Sequence, residues 1–246
     1  MKSMTGYGIE YAVIGKKKLS CWIKSVNSRF LEIYFDIPPE YIGIEPDMRK
    51  EIRKRVKRGK IEIFIREEKS KLPFSIRKIK AEDILRVFHS ALIKFEDSRD
   101  KEGYSIMHDL LQRINKIRDL IGDIEILHSS FPEKVRSILK ERLKQISLEI
   151  GVEEIPEDMV DKAGVVHIVR KADISEEITR VKTHIESFED EIEREGDGKK
   201  LMFIAQEILR EFNTIGAKSL DSRITEKVIE AKLEIERIRE QLYNVE

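Results

Sequence analysis

The chain lacks several features that would define its class at once. Cys21 is its one cysteine, which excludes an intramolecular disulfide and a four-cysteine zinc site. No apolar run approaches the ~20 residues needed to span a bilayer, and no secretion signal precedes the first strand. Motifs of P-loops, dinucleotide-binding folds, zinc proteases and serine hydrolases are also missing. We therefore expect a soluble protein of a reducing cytoplasm.

Charge is abundant and balanced. The 246 residues include 47 basic and 47 acidic side chains, so the net charge is zero although 38% of the residues are charged. With 40% hydrophobic residues, a chain of this length can bury a core. We predict an α+β protein in two parts. They are an N-terminal region over 1–154, with a sheet domain (1–78) followed by helices (79–154), and a helical C-terminal domain over 155–246 that carries the active site.

Strand periodicity dominates the first 78 residues. Leu19, Cys21 and Ile23 alternate with residues of the other face, which predicts a strand paired with the preceding one across a turn at 15–18. A third strand over 30–37 ends at two prolines. The remaining predicted elements are a helix over 45–57 and a strand through Ile61, Ile63 and Ile65.

The helix over 45–57 and the turn after it are strongly basic. Between residues 49 and 60, Glu51 is the only acidic residue against eight cations. Such clusters bind phosphate backbones, but a solvated helix surface can have the same composition, and both interpretations stay open here. The eight cations are Arg49, Lys50, Arg53, Lys54, Arg55, Lys57, Arg58 and Lys60, of which we predict Arg53, Lys54, Lys57, Arg58 and Lys60 to bind substrate.

Helical periodicity replaces strand periodicity after residue 80. Apolar residues over 84–92, 106–117 and 135–146 predict three helices, with Ser105 and Ser130 where N-caps belong. A further helix is predicted after Pro156. This section shows no catalytic pattern, so we expect it to serve spacing or assembly.

Three more helices are predicted towards the C-terminus. Asp173 and Ser175 open the first, and the other two are separated by a break at 213–218. The last helix carries a heptad-like apolar seam suited to packing against another helix. The seam consists of Leu220, Ile224, Val228, Ala231, Ile235, Ile238, Leu242 and Val245.

A polar constellation lies on the first two of these helices. Two of its carboxylates lie four residues apart on one helix, and the other helix places a carboxylate, an arginine and a histidine on one face. Carboxylates with an imidazole suit Mg²⁺ or Mn²⁺. The candidate ligands are Glu177, His184, Glu207 and Glu211.

Salt bridges between helices are the alternative explanation for these residues. Lys200, Arg210 and Lys218 are near enough in sequence to pair with them, and charge-rich helices carry many such pairs. The spacing alone favours salt bridges over a metal site.

Longer motifs at both ends resemble those of the YicC/YloC family. The N-terminal motifs are Ser3-Met4-Thr5-Gly6-Tyr7-Gly8, Lys24-Ser25-Val26-Asn27-Ser28-Arg29-Phe30-Leu31-Glu32 and Arg58-Gly59-Lys60. The C-terminal motifs are Asp173-Ile174-Ser175-Glu176-Glu177-Ile178-Thr179-Arg180, His184, Gln206-Glu207, Arg210-Glu211, Asn213-Thr214, Ala217-Lys218-Ser219 and Arg239-Glu240-Gln241.

This resemblance implies a metal-dependent bacterial endoribonuclease that assembles as a hexamer and cuts RNA in a central cavity. On this basis we hypothesise that Glu207 and Glu211 hold a divalent ion, Mn²⁺ or Mg²⁺, with Glu177 as a further candidate ligand. His184 would serve as a ligand or as a general acid or base. Asn27 and Arg29 would contact RNA or the neighbouring subunit. The predicted RNA-binding residues outside the basic helix are Asn27, Arg29, Arg180, Arg210, Asn213 and Lys218.

One position departs from the family pattern. Where this chain has Leu201-Met202-Phe203, the family usually has Leu-Asp-Phe, so one carboxylate is missing. A hexameric RNA-binding or adaptor protein without catalysis is therefore the alternative function. Met202 favours this alternative, whereas the presence of Glu207, Glu211 and His184 favours the enzyme.

Overall fold

The computed structural model describes residues 1–15, 17–69, 79–150, 165–194 and 196–245. The chain forms two compact units. Unit 1 comprises Met1–Asp109, Glu195–Gly198 and Gln241–Glu246, and unit 2 comprises Leu110–Arg194 and Lys199–Glu240. The predicted boundary between residues 154 and 155 lies outside the described residues. Among the described helices, none is both long and apolar enough to cross a membrane.

A four-stranded sheet forms the first part of unit 1, as predicted. The strands are β1 (Gly6–Ile14), β2 (Lys17–Val26), β3 (Leu31–Asp36) and β4 (Gly59–Lys69). Their order is β1-β2-β4-β3; β2 is antiparallel to both of its neighbours, and β3 runs parallel to β4. The parallel pair needs a crossover, which a 3₁₀ helix (Pro39–Ile44) and helix α1 (Glu45–Arg55) supply. With the helices that follow, the α+β prediction is confirmed.

One face of this sheet forms the core of unit 1. Leu19, Cys21 and Ile23 are almost fully buried, whereas Trp22 between them is exposed, so the predicted alternation is confirmed. Met48 of α1 belongs to the same core. Helix α2 (Ala81–Ser129) adds Val87, Phe88, Ala91, Leu92 and Phe95.

Helix α2 corrects the prediction of two separate helices over 84–92 and 106–117. It is continuous over 49 residues, and Ser105 lies inside it rather than at an N-cap. The reason is an apolar stripe that stays in phase, with buried residues every three or four positions from Ile84 to Ile124. Gly103 is tolerated within the helix because the chain start lies against it; an added Cβ there would be 2.6 Å from the Met1 carbonyl oxygen.

The second predicted cap, Ser130, precedes helix α3 (Phe131–Ile150), but its side chain does not cap that helix. Its hydroxyl donates to the carbonyl oxygen of Leu127, and its own carbonyl accepts from the Lys134 amide. The helix predicted after Pro156 lies outside the described residues.

Four helices complete the described part of the chain: α4 (Val166–Lys171), α5 (Ser175–Arg194), α6 (Gly198–Lys218) and α7 (Ser222–Leu242). Asp173 accepts from the Ser175 amide at the start of α5, as expected. The predicted break at 213–218 is wrong, because α6 continues to Lys218. The chain turns instead at Asp221, whose carboxylate accepts from the Arg223 amide and caps α7. Leu220 is 66% exposed and does not belong to the seam.

Candidate functional site

Two ion pairs join α5 and α6 within unit 2. The Lys218 ammonium donates to Oε1 of Glu177 at 2.7 Å, and Nη1 of Arg180 lies 3.6 Å from Oε1 of Glu211. Both carboxylates are buried, although their cations reach solvent. Since one pair joins 177 to 218 and the other joins 180 to 211, the two helices run antiparallel. The structure thus brings together four of the predicted site residues.

One oxygen in this cluster is left unsatisfied. Oε2 of Glu177 is buried and has no hydrogen-bond partner among the described residues, while Oε1 is engaged by Lys218. Buried carboxylate oxygens are nearly always hydrogen-bonded, so such an atom needs an explanation. An oxygen of this kind can accept a hydrogen bond from a substrate or ligate a cation.

His184 and Glu207 lie one helical turn farther along the same two flanks. His184 is four residues beyond Arg180, and Glu207 is four residues before Glu211, so the antiparallel arrangement directs them towards each other. Both side chains are half-buried. Among the described residues, neither makes a hydrogen bond or an ion pair, so an imidazole and a carboxylate are available for proton transfer or ligation.

A resident metal ion with three protein ligands does not fit the described part of one chain. In the described ranges, no three His, Cys, Asp or Glu residues come close enough together to hold an ion. The two buried carboxylates of the cluster, Glu177 and Glu211, already carry cationic partners. An ion held by the open side chains of Glu207 and His184 would therefore need its remaining ligands from outside the described part of this chain.

Two buried acids in unit 2 were not among the predicted residues. Asp221 accepts hydrogen bonds from Arg223 and Lys134, and these outweigh burial and hold its pKa well below the usual value. Burial disfavours the charged form of Glu234, but hydrogen bonds from Lys116 and Arg113 more than compensate and lower its pKa. Most of these partners are distant in sequence, so spacing along one helix could not identify either acid.

Arg210 and Asn213 lie apart from the cluster on α6. Both side chains are exposed. At about 100° per residue, Asn213 is roughly 160° around the helix axis from Glu211. The flank that carries Glu211 and Lys218 therefore does not include Asn213. A role for these two residues in binding RNA stays a prediction.

The structure pairs several cations of the basic helix with acids. Arg49 bonds to Glu45, Lys54 to Glu51, Arg55 to Glu96 and Lys60 to Glu62. Three of these acids, Glu45, Glu62 and Glu96, lie outside the segment between residues 49 and 60, so the sequence run overstates the free positive charge. The exposed cations Lys50 and Arg53 have no partner in the part of the chain that the structure describes, and Lys57 is exposed beside them.

Of three further predicted RNA-binding residues, two make contacts in space with the last residues of the chain, and the third lies in a loop. Asn27 donates to the main-chain oxygen of Tyr243, and Arg58 donates to that of Val245. Arg29 lies over the ring of Phe30, 5.4 Å from its centroid, in the loop between β2 and β3. Asn27 and Arg58 thus hold the chain end, a role that no spacing in the sequence indicates.

Comparison with known proteins covers most of the chain. A model of the family described as "Endoribonuclease YicC-like, N-terminal region" matches residues 1–82, and one described as "Endoribonuclease YicC-like, C-terminal" matches residues 124–246. The chain is 28% identical to the "Probable endoribonuclease YicC" of Clostridioides difficile, with 99% of each chain covered. It is 26% identical to the protein of the same name from Haemophilus influenzae, over 91% of this chain and 92% of the relative. The chain belongs to the YicC-like endoribonuclease family.

Proposed function

We propose that this protein is an endoribonuclease that hydrolyses RNA phosphodiester bonds at the α5–α6 cluster, defined as Glu177, Arg180, His184, Glu207, Glu211 and Lys218. The observation that carries the proposal is the buried, unsatisfied Oε2 of Glu177 within this cluster. Membership of the family and the names of the relatives support RNA as the substrate.

Each open side chain of the cluster has a chemical role in this proposal. His184 transfers a proton to or from the reacting oxygens, because histidine is the side chain best suited to proton transfer near neutral pH. Glu207 accepts a proton or holds a cation. Arg180, whose Nη1 lies beside Glu211 and whose Nη2 donates to the exposed Glu176, binds the phosphate through its guanidinium in place of Glu176. Lys218 positions Glu177 and so fixes the direction of its free oxygen.

Dependence on Mn²⁺ or Mg²⁺ is part of the same proposal. Mg²⁺ is commonly held by one or two carboxylates together with substrate phosphates, so a three-residue protein site is not required. Glu207 is the open carboxylate for this purpose, with His184 or the free oxygen of Glu177 as a second ligand. Such an ion would stabilise charge on the scissile phosphate.

Assembly into a homohexamer around an RNA-containing cavity and a cytoplasmic location complete the proposal. The family resemblance supports the hexamer. The single cysteine, which can form no intramolecular disulfide, supports a reducing compartment.

Cleavage of a labelled structured RNA tests the function. The protein should cut this RNA in the presence of Mn²⁺ or Mg²⁺, and cleavage should stop when EDTA is added. Glu207→Gln removes the negative charge at nearly constant size, so cleavage should fall at least about 100-fold while the melting temperature stays unchanged.

Glu230→Gln is the matched control, because Glu230 is exposed on α7 and its substitution should leave cleavage intact. Cleavage that resists EDTA would refute metal dependence. RNA binding without any cleavage would instead establish the non-catalytic RNA-binding alternative.

A further inference from the structure

The outer face of the sheet in unit 1 differs in chemistry from the basic helix. Even-numbered residues of β1 face α2, since a Cβ added to Gly8 would meet Ala91 and Phe95. The odd-numbered residues therefore face the other way, and the strand register places the neighbouring residues of β2 beside them. We call this surface the β1–β2 outer face. It consists of Tyr7, Ile9, Tyr11, Val13, Lys18, Ser20, Trp22, Lys24 and Val26.

Three aromatic side chains on this face are accessible. Tyr7 is 67% exposed, Tyr11 49% and Trp22 46%. Large side chains that support a core are usually buried, so three exposed rings on adjacent strands indicate a binding surface. Trp22 also lies directly opposite Phe64 of β4, which extends the aromatic surface by one strand.

The charge of this face has one sign. Its charged residues are Lys18 and Lys24, and it contains no Asp or Glu. The Lys18 ammonium lies 4.7 Å from the centroid of the Tyr11 ring, which places a cation directly beside an exposed aromatic plane.

On this side of the sheet, the acidic residues lie on β3 and β4, and two of them form ion pairs. Glu62 bonds to Lys60 at 2.7 Å, and Asp36 bonds to Arg66. In the strand register, Glu62 lies opposite Lys24 and Glu68 lies opposite Lys18, so the lysines of the β1–β2 outer face border two acids of β4, of which Glu62 is paired with Lys60.

Beside Tyr7, the face continues over the edge of β1 into a recess of about 540 Å³. Residues of α2 form its far wall: Ser98, whose hydroxyl oxygen accepts from the Tyr7 amide, the lysines Lys94 and Lys101, and the acids Asp97 and Glu102. The recess thus offers hydrogen-bonding groups next to an aromatic platform.

We propose that the β1–β2 outer face binds single-stranded RNA by stacking roughly two or three unpaired bases on its aromatic rings. Rings stack on any base, and the lysines bind the phosphates between them, so binding would tolerate different sequences. Duplex RNA would bind weakly, because its bases are stacked on one another. The inference rests on the proposed function for its choice of RNA, but it concerns a surface distinct from the α5–α6 cluster.

Trp22 is the only tryptophan in the chain, which makes the test direct. A short single-stranded oligouridylate, added to the full-length protein in EDTA, should quench tryptophan fluorescence in a saturable manner. The same sequence annealed to its complement should quench far less at equal concentration. Absence of quenching by the single strand would overturn the proposal.

Variants assign the binding to this face. Tyr7→Ala and Tyr11→Ala should each weaken oligouridylate binding on the order of tenfold, whereas Tyr104→Ala, an equally exposed ring on α2, should not. Unchanged affinity in both face variants would exclude stacking here. A change of mass by light scattering in these variants would show that the face joins copies of the chain, and would also overturn the proposal.

The two proposals fail separately. Quenching without cleavage of the structured RNA in Mn²⁺ would refute the endoribonuclease and leave the stacking face supported. Cleavage without quenching would refute the stacking face and leave the endoribonuclease supported.

Discussion

Asn27 and Tyr243 are joined by a hydrogen bond of 2.8 Å from the asparagine side-chain amide to the tyrosine carbonyl oxygen. The Met4 amide donates to the carbonyl oxygen of Asn244 over the same distance, and Arg58 donates to that of Val245. The last residues of the chain are therefore held by residues of the first 58. All of these contacts lie within unit 1.

Asn27→Ala should lower stability, because it removes the side-chain donor to Tyr243. The expected loss is about 0.5 to 1.5 kcal/mol, or a few degrees in melting temperature, measured by differential scanning calorimetry. Asn213→Ala is the control, since Asn213 is exposed in α6 and bonds to no described residue. If Asn27→Ala kept the melting temperature but lost RNA affinity, the RNA contact predicted from the sequence would replace the structural role.

Gly8→Ala should destabilise unit 1 strongly. An added Cβ would lie 2.1 Å from the carbonyl oxygen of Ala91 and 2.6 Å from the amide nitrogen of Phe95, both backbone atoms of α2. We expect a loss of at least about 3 kcal/mol, because neither strand nor helix can shift cheaply. Denaturant titration measures it.

Gly122→Ala, within helix α2 itself, should have the opposite effect. No atom of the described residues outside the helix backbone lies within 4 Å of a Cβ at that position, so the higher helix propensity of alanine should raise stability by up to about 1 kcal/mol. Equal effects at positions 8 and 122 would contradict the close approach of β1 to α2. This packing explains why Gly8 follows Tyr7 in the N-terminal motif without any phosphate-binding role.

Asp221 should make the stability of unit 2 sensitive to acid. Its pKa is lowered in the folded state by hydrogen bonds from Arg223 and Lys134, so its contribution is full above the unfolded pKa of ~3.9 and is lost as the pH falls below it. Asp221→Asn keeps an N-cap residue but removes the charge. The melting temperature of the wild type should exceed that of the variant at pH 7, and the difference should shrink towards pH 3.

Asp190→Asn is the control for this pH dependence. Asp190 is exposed on α5 and has no ion-pair partner among the described residues, so its variant should follow the wild type at every pH. A wild-type advantage over Asp221→Asn that stayed constant from pH 7 to pH 3 would show that the charge of Asp221 is not what stabilises α7.

Local periodicity in the sequence predicted which helices and strands form better than it predicted where they end or what they pack against. Leu19, Cys21 and Ile23 identify a strand because alternation is a property of neighbouring residues. Ser105 misled the prediction, because a serine directly before a run of apolar residues resembles an N-cap. The helix continues through it because the apolar stripe of α2 stays in phase on both sides.

The candidate site was partly predictable for the same reason. Helical spacing correctly placed Glu177, Arg180 and His184 on one flank of α5. The pairing of Glu177 with Lys218 across 41 residues depends on how two helices pack, which spacing within each helix does not determine. The sequence left two interpretations open, salt bridges and a metal site. Glu177 has features of both, since one of its oxygens is paired with Lys218 and the other has no partner among the described residues.

Met202→Asp tests whether the family's missing carboxylate belongs to the same site. At about 100° per residue, position 202 lies roughly 140° around α6 from Glu207 and roughly 180° from Glu211, so a carboxylate there lies on the other side of the helix from both. We therefore expect Met202→Asp to cleave the structured RNA within about threefold of the wild-type rate and with the same Mn²⁺ dependence, since a charge that does not reach the ion leaves the barrier nearly unchanged. Single-turnover rates over a Mn²⁺ titration measure both quantities. A rate increase of tenfold or more, or a shift of the Mn²⁺ midpoint to lower concentration, would contradict this expectation and place residue 202 within reach of the reacting phosphate.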